Sequence, residues 1–262
     1  MDSVRLLHDP PAAGAWNMAV DEALLASAAG GIATLRFYQW AEPTLSLGYF
    51  QAAADRALHS ASEACPLVRR ASGGGAILHD QELTYSLAIP ARGRFGAAEL
   101  YDRMHGTLIE VLAGLGVRAE LCGGKSTCDS LPPATVAIPP EERAPKGRPP
   151  CAFLCFQRLT RGDVLCSGAK IAGSAQRRHR GGLLQHGSVL LRKSTRAPEL
   201  PGIAELTSVE ISAAELAARW VQRLSGRDIW RIAASQLTSE ERWLAEREQA
   251  NRFANEDWNY RK

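Results

Sequence analysis

The sequence predicts an α+β fold: strand-like runs follow one another through the middle of the chain with no clean strand-helix-strand alternation, and helix-like stretches gather towards its two ends. Composition agrees. Of 262 residues, 45% are apolar and 23% charged, which suits a folded chain with a sizeable core and no disordered bulk. The length allows one large domain or two small ones. A net charge of +3 is too small to imply nucleic acid, although Arg177, Arg178, His179 and Arg180 form a local basic cluster that could attract an acidic protein. No apolar run approaches the roughly 18 residues of a membrane span. The opening MDSVRLLHDP lacks the plan of a signal peptide, so a reducing cytoplasm is expected, with Cys65, Cys122, Cys128, Cys151, Cys155 and Cys166 as free thiols.

The elements follow from local patterns. Residues 17–29 place Met18, Ala19, Leu24 and Leu25 at helical spacing, with Asp21 and Glu22 expected in the first turn, where the helix dipole favours acid. The runs 34–38 and 44–50 are β-prone, the second alternating small or polar with apolar residues after Pro43. Residues 67–70 read as a strand entering Ser72-Gly73-Gly74-Gly75, and 76–78 and 83–89 supply two more. Helical spacing returns over 100–115 and stops at Gly116. Between 123 and 150, prolines among charges exclude helix and inner strand, so a long mobile insert is expected. Strands are expected at 151–156, 164–166 and 183–191, with a glycine-punctuated connection over 167–182. Helices are expected at 213–224 and 239–253, the latter opened by Ser239-Glu240-Glu241-Arg242.

Two stretches could carry chemistry. In Ser72-Gly73-Gly74-Gly75 three residues lack side chains, so a ligand could approach the backbone closely and its N–H groups could face an acyl or phosphate group. A flexible hairpin turn suits the same letters, and the trailing Gly-Lys-Ser/Thr of a P-loop is missing. Arg69 and Arg70 before it and His79 and Asp80 after it gather polar groups at a strand end, as a solvated charged edge also would. The second stretch is Gly168-Ala169-Lys170-Ile171-Ala172-Gly173-Ser174-Ala175-Gln176, with Gln185-His186-Gly187-Ser188 following. A lysine bordered by small residues leaves room for a substrate. His186 by itself reads as a satisfied strand-end histidine as readily as a base, and the cysteine spacings suggest no metal site.

Taken in order, Asn17-Met18-Ala19-Val20-Asp21-Glu22-Ala23-Leu24, the run 35–51 (LRFYQW…LSLGYFQ), the run 69–86 (RRASGGGAILHDQELTYS), the run 168–188 (GAKIAGSAQ…LQHGS) and the closing Phe253, Asp257-Trp258-Asn259 with a basic pair resemble the lipoate and biotin protein ligase superfamily. The resemblance implies one catalytic domain over residues 1–262, a mixed, largely antiparallel sheet with helices packed around it, and the mobile insert at about 123–150. Within the superfamily, Cys155-Phe156 before Lys170, with LHDQELTYS and LQHGS, is most similar to octanoyltransferases of the LipM type and the related amidotransferases of the LipL type. The Asn-Asp pair and accessory C-terminal domain common in ATP-dependent lipoate ligases are not recognisable. Two departures stand: Ser72-Gly73-Gly74-Gly75 is spelled as in the ligases, where this branch commonly reads Thr-Gly-Gly-Arg, and the insert is long.

The implied activity is transfer of an octanoyl group from acyl carrier protein, through a thioester on Cys155, to a lysine of a lipoyl domain or glycine-cleavage H protein. No cofactor or metal is implied. A thiolate is suited to exchanging thioesters and is favoured by a neighbouring cation, which Lys170 supplies if the two segments meet; Lys170 could also steady the developing oxyanion. Arg70, Ser72, Gly73, Gly74, Gly75, His79, Gly173, Ser174 and His186 are the implied substrate-binding residues. Cys151 and Cys166 are assigned to the core; Cys65, Cys122 and Cys128 receive no role. An ATP-dependent lipoate ligase, a LipL-type amidotransferase and a non-catalytic relative that binds lipoyl-bearing proteins are the alternatives.

Overall fold

The computed structural model describes residues 2–92, 96–123, 152–226 and 230–261. Its elements in chain order are β1 (Asp2–His8), α1 (Gly14–Ala29), β2 (Thr34–Tyr38), β3 (Thr44–Leu47), β4 (Leu67–Arg69), β5 (Ile77–His79), β6 (Glu82–Pro90), α2 (Ala97–Gly114), β7 (Glu120–Leu121), β8 (Val164–Cys166), β9 (Ala169–His179), β10 (Gly182–Leu190), α3 (Ile203–Thr207), α4 (Ala213–Ser225), β11 (Trp230–Ala234), α5 (Ser239–Glu248) and α6 (Glu256–Asn259). The large sheet runs β11-β1-β2-β6-β10-β9-β8-β7 and a smaller one runs β4-β3-β5. In the large sheet β1 is parallel to β11 and β2, and every pairing from β2 to β7 is antiparallel. This is the mixed α+β architecture that the strand and helix patterns predict. No helix among the described residues is long and apolar enough to cross a membrane.

Side chains alternate across a strand, and here both faces are covered. Leu6, Phe37, Leu87 and Leu183 pack with Leu100, Met104 and Leu108 of α2 and Leu216 and Trp220 of α4. Their chain neighbours Leu7, Tyr38, Ala88 and Leu184 pack against Met18, Leu24 and Leu25 of α1, with Ala245 and Phe253 behind. All nine residues of β10 are therefore buried. A third cluster, Leu45, Leu47, Leu78, Phe153, Leu154 and Phe156, lies around the small sheet. The meeting of these layers places the site.

Several expectations are corrected. Residues 167–182 are not a connection: most of them form β9, in which Gly173 does not break the ladder but, like Gly187 opposite Ser174 in β10, lets facing groups come close. A Cβ at Gly187 would lie 2.4 Å from Ser174 Oγ. Residues 152–156 are not a strand. Phe153, Leu154 and Phe156 are buried, which explains the strand-like run, but the chain makes one bridge, Leu154 to Ala76, and then turns in a 3-10 helix at Cys155–Gln157. Strands β1 and β11 lacked a readable alternation, and each is held mainly by its parallel neighbour. Helix α1 begins at Gly14, so Asp21 lies beyond its first turn and is buried. Arg69 and Arg70 are buried as well, at 0% and 3% exposure, and form no solvated edge. The predicted insert, Cys128 and Cys151 fall outside the described residues. Cys166 is in the core, as expected.

Candidate active site

The 3-10 turn brings Cys155 to the start of β9. Its Sγ lies 3.8 Å from Lys170 Nζ. The ammonium also reaches the carbonyl oxygens of Cys155 and Arg158, each at 3.4 Å, and pairs with Asp163 Oδ2 at 2.8 Å. Lys170 and Asp163 are 6% and 1% exposed, so little water screens the pair. The same Asp163 oxygen accepts from Thr160 N at 2.8 Å and Thr160 Oγ1 at 2.9 Å, which fixes the carboxylate. Gly173 is the space the lysine needs: a Cβ there would stand 2.6 Å from Lys170 Cε and 3.0 Å from Nζ.

The glycine turn lies against this pair. Gly74 adopts φ +99°, a conformation L side chains rarely take, and a Cβ at Gly75 would stand 3.2 Å from the backbone of Cys155. Cys155 N donates to Ala76 O at 2.7 Å, locking the cysteine to the turn. Arg70 braces the turn from inside, donating to Gly75 O at 2.8 Å and Gly73 O at 3.4 Å, and to Ser46 O and Oγ at 2.7 and 2.6 Å. Burial pulls its guanidinium down to about 10. Arg69 points away and binds the carbonyls of Gly48, Trp258, Asn259 and Arg261. The closing Trp258-Asn259 thus docks on the arginine adjacent to the site.

Two histidine clusters complete the walls. His79 contacts Ser46 Oγ at 2.7 Å and Glu82 Oε1 at 2.7 Å, with Trp40 stacked on its ring at 3.8 Å. Burial pushes its pKa down, against the pull of Glu82. His186 bridges Ser72 Oγ at 2.6 Å and Asp21 Oδ2 at 3.2 Å. Asp21 also binds Arg36 at 3.0 Å and the Tyr38 hydroxyl at 3.1 Å. Burial pushes the Asp21 carboxyl up, but the His186 hydrogen bond and the Arg36 charge outweigh it and hold it below the usual carboxylate value.

Between these walls lies a cavity that opens to solvent, about 520 Å³ with the solvent at its mouth included. Of the residues expected at the site, Cys155, Lys170, Arg70, Gly73, Gly74, His79, Gly173, Ser174 and His186 line it. Ser72 and Gly75 sit behind, one orienting His186 and the other passing under Cys155. Met18, Tyr38, Trp40, Ile77 and Phe156 contribute apolar surface, as a hydrocarbon chain requires. Sequence reasoning missed Asp163, Asp21, Arg36, Glu82 and His105. A charged residue in a connection or a histidine in an amphipathic helix is ordinary, and only the burial of a full charge beside Lys170 distinguishes Asp163.

The fold is that of lipoate protein ligases: one from Thermoplasma acidophilum, described with its E2 lipoyl domain, superposes with TM-score 0.71 at 20% identity, covering 99% of this chain and 97% of that one. The model of the lipoyl protein ligase A/B catalytic domain matches residues 13–209, and the chain belongs to that family. Octanoyltransferase LipM of Kyrpidia tusciae is 34% identical over 100% of both chains, and that of Brevibacillus brevis 32% identical over 100% of both. The chain is accordingly an acyltransferase of the octanoyltransferase kind.

Proposed function

We propose that this acyltransferase acts in lipoate biosynthesis, in the cytoplasm and as one catalytic domain, taking octanoyl from acyl carrier protein onto Cys155 and passing it to a lysine of a lipoyl domain or glycine-cleavage H protein. The observation that carries the reading is the half-exposed Cys155 thiol 3.8 Å from a buried ammonium, on the wall of an apolar cavity. A free cysteine kept only for packing needs neither a cation nor a cavity. The Cys155 thiolate attacks the donor thioester, the bond from the acyl carbon to the carrier sulfur breaks, and the carrier leaves as a thiolate. The Lys170 ammonium supplies countercharge to the sulfur and to the carbonyl oxygen of the tetrahedral intermediate, and Asp163 holds it in place. Arg70, Gly73, Gly74, His79, Gly173, Ser174 and His186 contact the acyl group, with Ser72 and Gly75 shaping the wall from behind. No ATP is consumed. The ATP-dependent ligase reading keeps the fold likeness, the ligase-like spelling of Ser72-Gly73-Gly74-Gly75 and the long insert in its favour.

Intact mass measured after incubation with octanoyl-acyl carrier protein tests this. The wild type gains one octanoyl group, and Cys155→Ala gains none and transfers none to a lipoyl domain. Normal transfer by Cys155→Ala, or transfer that needs ATP and free octanoate, would overturn the thioester route.

A further inference from the structure

Lys170 cannot take a proton from the attacking amine. Its ammonium is engaged by Asp163 and two carbonyls beside the sulfur, and an ammonium has no lone pair. Aminolysis of the acyl-cysteine nevertheless releases a proton if Cys155 leaves as a thiolate against that cation. A buried hydrogen-bond chain offers a destination.

The chain runs between two backbone carbonyls, which can only accept. At one end Gln176 Nε2 donates to Ala97 O at 2.6 Å and to Gln185 Oε1 at 2.7 Å. Gln185 Nε2 then donates to the Tyr85 hydroxyl at 2.8 Å, and this hydroxyl meets Ser174 Oγ at 2.7 Å. At the other end His105 Nδ1 lies 2.6 Å from Gly162 O, so Nδ1 carries the hydrogen. A neutral His105 then has its lone pair on Nε2, 2.6 Å from Ser174 Oγ. One direction satisfies every group: Tyr85 donates to Ser174, and Ser174 donates to His105. Ser174 keeps one lone pair unused, and Ser174 lines the cavity that holds Cys155 and Lys170. His105 is 0% exposed, and its Nε2 meets the cavity through this serine. Burial lowers the His105 pKa, consistent with the neutral resting form.

We infer that Ser174 and His105 form the proton relay of the second half-reaction, a role resting on the thioester reading above. As the neutral acceptor amine attacks the Cys155 thioester, the C–N bond forms and the C–S bond breaks. The amine proton passes to Ser174 Oγ, the serine proton passes to His105 Nε2, and the thiolate is left facing Lys170. The relay explains a buried histidine that touches no substrate. It also separates the two half-reactions, since exchange of one thioester for another leaves no net proton to place. Ser174 is the catalytic contact; His105 acts through it. The charged or titratable groups facing His105 are Asp163, Lys170, Asp102 and Tyr101, whose ring centroid is 4.3 Å away.

The test preloads Cys155 with octanoyl from octanoyl-acyl carrier protein, follows adduct formation by intact mass, and then follows its single-turnover decay on mixing with a lipoyl domain across pH. His105→Gln keeps an acceptor for Ser174 without basicity, and Ser174→Ala removes the link. His105→Gln is expected to acylate within a few fold of wild type and to lose about 10²- to 10⁴-fold in transfer, the range of general-base catalysis; Ser174→Ala, which also loses an acyl contact, is expected to lose far more in transfer than in acylation. The deficit should shrink as pH rises and hydroxide takes the proton that the broken relay no longer removes. Equal losses in both half-reactions, or wild-type transfer in both variants, would overturn the relay. If His105→Gln does not fold, Ser174→Ala decides by the same readouts. Failure of the wild type to form any adduct would instead defeat the thioester reading.

Discussion

Removing the charge of Lys170 should damage stability and activity separately, and the buried ion pair with Asp163 says by how much. Lys170→Met keeps an unbranched chain of similar length in the space beside Gly173 but strands the Asp163 carboxylate. Breaking a buried pair by deleting one partner costs about 3–5 kcal/mol, and side-chain exposures of 3% and 2% put this pair in that class. For a chain of this size, about 2–4 °C of melting temperature per kcal/mol makes the drop roughly 6–20 °C. Adding Asp163→Asn removes the stranded charge while an amide oxygen can still accept from Thr160 N and Oγ1. The double variant should therefore recover most of the lost melting temperature. Activity should not follow, because losing one oxyanion donor costs about 2.7–4 kcal/mol, a hundred- to thousand-fold in rate. Thermal melts of wild type, both single variants and the double, beside single-turnover acylation of Cys155, check this. A Lys170→Met protein that melts like wild type, or a double variant that melts below both singles, would show that the pair is not a buried, mutually dependent one.

Gly173→Ala should reduce acylation of Cys155 far more than it lowers the melting temperature, because the added methyl collides with the movable Lys170 side chain 2.6 Å away and displaces its ammonium from the sulfur; normal acylation would show that the ammonium position does not matter. Stability should fall on acidification. Burial holds His79 and His105 below the ordinary histidine value of 6.5, so the unfolded chain takes up protons first and the contribution is lost as pH drops below about 6.5. Asp21, held below its ordinary 3.8, adds a loss only at stronger acid. Denaturant midpoints from pH 7.5 to 5.5 check the first part, and in His105→Gln the slope should flatten.

The sequence by itself determined the local elements and the chemical inventory. Strands β2 and β8 lie at the expected residues because β-prone runs there are bounded by turns, and α1, α2 and α4 follow their apolar spacing. Lys170 and the triple glycine stood out because a lysine among small residues and a run without side chains are uncommon in ordinary surface, whereas Cys155 was singled out by the family resemblance. Tertiary structure decided which of these groups meet. That Cys155 sits in a turn and not a strand, that Lys170 lies on a strand with its charge buried against Asp163, and that His105 reaches the cavity through Ser174 all depend on the long-range pairing among β8, β9 and β10 and on the bridge of Leu154 to Ala76 beside Gly75. Strand β9 was hidden because glycine reads locally as a breaker, while in the sheet Gly173 and Gly187 are the places where neighbouring groups must pass closely. Local propensity records what each residue prefers alone, and the energy of burying a charge or seating a lysine belongs to neighbours far away in the chain.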